Sequence, residues 1–365
     1  MRTNTNDINP VRPSQLTELA RATFAANRFL YVEGAGGIGK TSILCHEVAA
    51  GLGLEVWLVN LSGQGPQEVL GYGIPNAETG DMRFAAPDIW PTLKRVGDRG
   101  VLLILDELND YDPAVRALLR GLFPASGARY VGPHRLGDNV HIAVTGNRRS
   151  DGVRASKIED APFTERSMKV TLVANLGDWL EWVDTQPRLQ DSGSHIPAFL
   201  KFGTTTGDGL DHFNPPIVNP YDGVPHPCPR TYEAVMLMEG GRKQDPALFN
   251  ILLRGSVGDR AASAYLGFLT LVDRLPDIQS LKTDPDAFVV PEEVNMQYAL
   301  VSACLATATR GVKDVAIAVH SGGFDWLVTL LMKVRGDIKE WGARSAVRRG
   351  IPLDEHPRSH DLIVG

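Results

Sequence analysis

The stretch at 29–51, FLYVEGAGGIGKTSILCHEVAAG, decides the fold. It opens on an apolar strand run, FLYV at 29–32, turns through a cluster of glycines, and enters a helical pattern that ends on Gly51. Gly34, Gly39, Lys40 and Thr41 fit the spacing GxxxxGK[ST] of a phosphate-gripping loop. Glycines let the backbone bend until its N–H groups face phosphate oxygens, and the helix that follows adds its positive end. The candidate cradle is therefore Gly34, Ala35, Gly36, Gly37, Ile38, Gly39, Lys40, Thr41 and Ser42. Within it Lys40 supplies a point charge, and Thr41 a hydroxyl suited to Mg²⁺.

Further along, VLLILDELND (101–110) carries Asp106 out of a wholly apolar strand, at the end where open α/β sheets bind ligands. Asp106 would hold Mg²⁺ through water, and Glu107 would orient and deprotonate an attacking water. Taken alone, such a strand end is equally a solvated acidic turn; paired with the phosphate loop it reads as the second half of a hydrolytic site. AVTGNRR (143–149) places Asn147 at the end of the next strand, as either a turn residue or a sensor of the γ-phosphate and attacking water. APFTERSMKV (161–170) places Arg166 before the following strand, and HPCPRTYEAV (226–235) places Arg230 at a helix start. A guanidinium can neutralise charge that develops on a transferring phosphoryl group. Each of these arginines read by itself is a surface residue.

Outward from these motifs, strand runs at 29–32, 55–60, 101–105, 141–145 and 168–173 alternate with helices, which predicts an α/β core with a five-stranded parallel sheet and helices on both faces. In the segment DPAVRALLRGLF (112–123), Asp112 is placed to cap a helix and Pro113 to start it. After 175 only amphipathic helical patterns remain, interrupted by a Gly/Pro/Asp-rich loop at 204–229. The expected division is an N-terminal tail at 1–14, the α/β core at 15–175, a helical lid and C-terminal helical region at 176–338, and a charged, mobile tail at 339–365.

Composition narrows the functional classes. A net charge of −6 argues against generic nucleic-acid binding, although a local basic surface stays possible. Neither a signal-like apolar core near residue 1 nor a membrane-length apolar run occurs, and Cys45, Cys228 and Cys304 are scattered, so a cytoplasmic protein without disulfides is expected. The nine histidines show no paired spacing, which leaves Mg²⁺ as the expected metal.

Phosphate loop, acidic strand end, strand-end Asn, an Arg before the next strand and an Arg in a helical region follow one another in the order of the AAA+ ATPases. The chain resembles their MoxR-type branch in EVLGYGIP (68–75), LDELNDYDPAVRALL (105–119), AVTGN (143–147) and PRTYE (229–233). Asn109, two residues past the acidic pair, belongs to that resemblance, which covers about 15 to 335. It implies ATP and Mg²⁺ as cofactors, Asn147 as sensor 1, Arg230 as sensor 2, and Arg166 as an arginine finger acting on a neighbouring subunit's ATP in a ring, usually a hexamer. The branch commonly has Phe after that Arg where Ser167 stands here, so Arg154 is a rival for the trans role. By resemblance alone, a von Willebrand A-type protein is a possible partner. Two hairpins are expected, at 71–87 and 128–140, with Tyr72, Ile74 and Arg83, or Tyr130 and Arg135, available to touch cargo.

The leading functional reading is thus an ATP-hydrolysing ring that remodels or matures a protein partner, with no membrane association. A nucleic-acid motor or loader is the alternative, since Arg129 and Arg135 share one hairpin. A phosphate-loop metabolite kinase is a third.

Overall fold

The computed structural model describes residues 9–124, 127–148, 161–203, 212–215, 223–314, 321–354 and 356–363. Arg154 and most of the Gly/Pro/Asp-rich loop lie outside these residues. The chain divides into two units, 1–174 with 219–222, and 175–218 with 223–365.

The first unit is built on a parallel sheet whose strands are β1 (Pro10–Val11), β2 (Phe29–Gly34), β3 (Glu55–Val59), β6 (Val101–Leu105), β9 (Val140–Asn147) and β10 (Ser167–Leu172). Two small antiparallel hairpins complete the strand set: β4 (Gly73–Pro75) with β5 (Met82–Phe84), and β7 (Tyr130–Val131) with β8 (His134–Arg135). The six sheet strands lie in the order β1-β10-β2-β9-β6-β3. The sheet therefore has six strands where five were expected, and β1 lies within the residues expected as an N-terminal tail. Pro10 lacks an N–H and is tolerated only at an edge, and the neighbouring strand closes the pairing: Thr171 N–H donates to Asn9 O at 3.3 Å and Val173 N–H to Val11 O at 2.9 Å. Two residues show no alternation, so the strand is invisible to periodicity.

Strand β6 fixes the layers. All five of its side chains are fully buried, and they alternate between two cores. Val101, Leu103 and Leu105 join Trp90, Val115, Leu119 and Leu122 on one face. Leu102 and Ile104 join Leu16, Ala20, Leu44 and Val48 on the other. Each such side chain contributes roughly 1.5–3 kcal/mol, which is why a strand covered on both sides reads as an unbroken apolar run. The helix Pro113–Leu118 starts as expected, with Asp112 accepting from Ala114 N–H at 2.7 Å and proline in its first turn. Both hairpins form, with Ile74 opposite Arg83 and Tyr130 opposite Arg135. Arg135 pairs with Asp138 at 2.8 Å, and Arg129 donates to Asn27 Oδ1 at 2.7 Å.

In the second unit every element among the described residues is a helix. The longest, Pro246–Val272, breaks at Gly258 (φ 76°), where a Cβ would meet Pro225 O at 2.5 Å. A buried polar knot sits beside it: Glu239 Oε2 accepts from Tyr265 OH at 2.6 Å, from Ser194 Oγ, and from His195 N–H at 3.2 Å. The segment expected as a mobile tail, 339–365, contains helical residues among those described. The helix Gly336–Arg348 buries Ile338, Ala343 and Ala346, and Ile351, Leu353 and Leu362 are buried beyond it. What holds it is ionic. Arg349 Nε donates to Asp184 Oδ1 at 2.8 Å, Ser345 Oγ to the same oxygen at 2.9 Å, and Arg348 Nη2 to Glu181 at 2.6 Å.

Three stability outcomes follow from this unit. Arg349→Ala removes the nearest cation from buried Asp184, leaving it Ser345 and Arg348 at 3.9 Å, and is expected to cost up to about 3–5 kcal/mol in chemical denaturation. Breaking the exposed Glu340–Arg344 pair, 2.6 Å apart, costs under about 1 kcal/mol. Burial, reinforced by Arg242, pushes the His195 imidazole from 6.5 down to about 4, and its Nδ1 meets no partner among the described residues. The unfolded chain therefore binds a proton that the folded one refuses between those values. That contribution is fully present above pH 6.5 and is lost as the pH falls toward 4, a window of about 3 kcal/mol. His195→Phe is expected to flatten that part of the stability–pH curve.

Candidate active site

The loop between β2 and the helix that starts at Lys40 has its shape for steric reasons. A Cβ on Gly34 would lie 2.8 Å from Leu172 O, and Gly37 and Gly39 hold φ of 75° and 96°, where only glycine rests without strain. Gly36 has open space around it, while Ala35 and Ile38 are buried beneath the loop. The helix runs on through residues 40–52 and carries a π turn at Leu44–Val48, a local widening that no periodicity in the sequence signalled. Its first N–H groups have no intrahelical partners and face the loop's concavity. Ser42 is exposed on its first turn.

Lys40 is buried, and its Nζ donates to Gly34 O, Ala35 O and Asn147 Oδ1, each at 2.9 Å. The contact with Asn147 follows from strand order. Gly34, the last residue of β2, pairs with Asn147, the last of β9, because β9 lies between the loop strand and the acidic strand β6. The loop, Asn147 and the acidic pair therefore share the C-terminal edge of three adjacent strands.

At that edge Thr41 Oγ1 donates to Asp106 Oδ1 at 2.5 Å, and Thr145 Oγ1 donates to the same oxygen at 2.7 Å. Thr145 Oγ1 also accepts from Glu107 N–H at 2.9 Å. Glu107 itself is left-handed, φ 56° and ψ 42°, a conformation that costs a side-chain-bearing residue roughly 1–2 kcal/mol. Buried Asn109 donates through Nδ2 to Asn147 O at 2.7 Å. Gly146 is wedged so that a Cβ would meet Asn109 Oδ1 at 2.4 Å and Tyr31 OH at 2.6 Å. Burial, with Glu33 nearby, raises the Tyr31 phenol, and burial with Asp106 nearby raises the Cys45 thiol, so both stay protonated at neutral pH.

A hydroxyl and a carboxylate in contact form an all-oxygen donor set, and Mg²⁺ takes such a set while keeping waters and phosphate oxygens for its other positions. The residues thus fit Mg²⁺ at Thr41 and Asp106, and the glycine-shaped cradle fits a polyphosphate. Among the described residues no other group of three His, Cys, Asp or Glu is placed to hold a metal.

The arginines lie elsewhere. Arg166 ends the helix Ala161–Arg166, donates to Phe123 O, and immediately precedes Ser167, which pairs with Phe29 at the start of β2. Five residue steps along β2 separate that end from Gly34, about 17 Å. Arg166 therefore stands at the opposite edge of the sheet from its own chain's loop. Arg230 is exposed in the first turn of the helix Pro229–Met238 in the second unit. The sequence reading gave no role to Thr145 or Tyr31. The available signal was a hydroxyl directly after the apolar buried run IAV at 142–144.

Because Glu107 pays for its conformation, Glu107→Gly is expected to leave the fold about as stable or raise it by up to about 1 kcal/mol, while Glu107→Val lowers it. Thermal melts of the two variants against the wild type check this.

No protein-family model matches the chain, and no curated protein does. Among solved structures, a closed-state cryo-EM reconstruction of Hsp104 with ATPγS and FITC casein is similar at 18% identity and a TM-score of 0.32, over 47% of this chain. The chain spans about a third (34%) of the length of that one. The likeness is too slight to assign a family. No helix among the described residues is long and apolar enough to cross a membrane.

Proposed function

We propose that this chain is a Mg²⁺-dependent ATPase of the AAA+ kind, MoxR-like, working as a homo-oligomeric ring, hexameric by resemblance, that remodels or matures a protein partner. The observation that carries the nucleotide reading is the convergence of Lys40, Asn147, Thr41 and Asp106 in direct hydrogen bonds, although their motifs lie up to 107 residues apart.

In this reading Lys40 exchanges its loop carbonyl partners for β- and γ-phosphate oxygens and stays adjacent to Asn147. Thr41 and Asp106 hold Mg²⁺, which neutralises charge on the phosphates when bound. Glu107 accepts a proton from the water whose oxygen attacks the γ-phosphorus, and the bridging oxygen leaves with ADP. Asn147, half-buried between the two groups, orients that water and the γ-phosphate. Arg166, remote from its own loop, suits a role on a neighbouring copy's phosphates and not on its own. A carboxylate placed for water favours hydrolysis over transfer to a metabolite. The pairing of Arg135 with Asp138 weakens the case for a nucleic-acid groove on that hairpin.

The test is the ATPase rate per subunit against protein concentration, with Lys40→Ala and a mixing series of wild type and Arg166→Ala. Lys40→Ala is expected to remove at least about 100-fold of the rate. The rate should rise cooperatively with concentration, and fall more steeply than the mutant fraction as Arg166→Ala, itself about 10³-fold slower, is mixed in. A rate indifferent to both variables overturns the trans arginine. Absence of Mg²⁺-dependent hydrolysis overturns the ATPase reading, and strong stimulation by DNA or RNA would move it to a nucleic-acid motor.

A further inference from the structure

We propose that Thr145 is a positioning residue that fixes both carboxylates of the site at once. The inference rests on the ATPase reading above and deepens it. Thr145 is fully buried, within a strand whose neighbouring side chains Ile142, Ala143 and Val144 are all apolar and buried. Its hydroxyl does two things: it donates to Asp106 Oδ1 at 2.7 Å and accepts from Glu107 N–H at 2.9 Å. A hydroxyl has one proton to give, and here it goes to the metal-side carboxylate. The accepted bond meets the backbone of the strained residue, whose left-handed turn persists only where surrounding contacts hold it. One oxygen thus sets the rotamer of Asp106 and the direction in which the Glu107 side chain leaves the strand. A threonine merely filling the core would bond a backbone carbonyl of its own strand, or give way to valine without consequence.

The other contacts of the site sort themselves around this oxygen. Thr41 donates to Asp106, and Asn109 donates to the backbone of Asn147. Lys40 donates to the loop carbonyls and to Asn147. Loss of the Thr145 hydroxyl leaves Asp106 Oδ1 its bond from Thr41, so Mg²⁺–nucleotide affinity should change little, whereas Glu107 N–H loses its bond to Thr145 and turnover, which depends on where Glu107 points, should fall.

The experiment compares Thr145→Val, which keeps the shape and removes the hydroxyl, with Thr145→Ser, which restores the hydroxyl. Both are made in the full chain and in a Glu107→Gln background. Steady-state and single-turnover ATP hydrolysis are measured with affinity for Mg²⁺–ATPγS. Thr145→Val is expected to lower kcat about 10- to 100-fold, in the range of residues that orient a functional group, with KM and ATPγS affinity within about 3-fold of wild type. Thr145→Ser should recover most of the rate. In the Glu107→Gln background the valine substitution should cost little more, because its effect passes through Glu107. Wild-type kcat in Thr145→Val overturns the proposal, as does an equal loss in both backgrounds or a loss shared equally with ATPγS affinity. If the valine variant does not fold, Thr145→Cys, whose thiol is a weak hydrogen-bonding group, takes its place with the same expected outcomes. A wild type that hydrolyses no ATP defeats the ATPase reading itself, and a Glu107→Gln variant as fast as wild type overturns the role of Glu107 and this proposal with it.

Discussion

One carboxylate oxygen, Asp106 Oδ1, receives hydroxyls from Thr41 and Thr145, and the rest of the site depends on that double acceptance. Through Thr41 it ties the acidic strand to the phosphate loop's helix, and through Thr145 to the strand between them. Sheet hydrogen bonds hold β2, β9 and β6 side by side, but they do not decide where side chains at the strand tips point. The hydroxyl–carboxylate bonds do. Charge-assisted bonds of this kind are about twice as strong as neutral ones, and at a partly buried edge they limit the rotamers that water would otherwise free.

The strand order gives those bonds their reach. Were β6 next to β2, the acidic pair would meet the loop directly, and a residue at the tip of a third strand would have no place between them. With β9 interposed, Asn147 lies against Lys40 on one side while its backbone is held by Asn109 from the acidic turn on the other. The left-handed Glu107 belongs to the same arrangement. Its strain lies in the residue with the largest proposed chemical role, and the bond from its N–H to Thr145 helps keep it there.

Much of this was legible in the sequence wherever a short stretch of chain carries its own reason. Glycines at 34, 37 and 39 are required by the loop's own geometry, Asp112 and Pro113 start a helix locally, and an all-apolar VLLIL can only be a strand covered on both faces. Pairing over long distances was not legible. Pro10 breaks every strand rule except the rule for an edge, and its partner Thr171 lies across the whole unit. Residues 340–349 look like a solvated charged run because the carboxylate that buries Arg349 sits 165 positions earlier. Thr145 was in plain view in AVTGN, yet the atoms that give its hydroxyl a purpose, Asp106 and Glu107, come from a different strand.

That same ionic closure bears on the order in which the protein is made. The first unit has every strand of its sheet once residue 172 has been synthesised, so it can take shape while the remainder is still emerging. The second cannot finish on that schedule. Asp184 waits for Arg349, which comes 165 positions later together with the apolar side chains of the helix Gly336–Arg348. Until they arrive, part of the helical core stands open, so the interval between Asp184 and Arg349 is one of exposure to proteases and to neighbouring nascent chains.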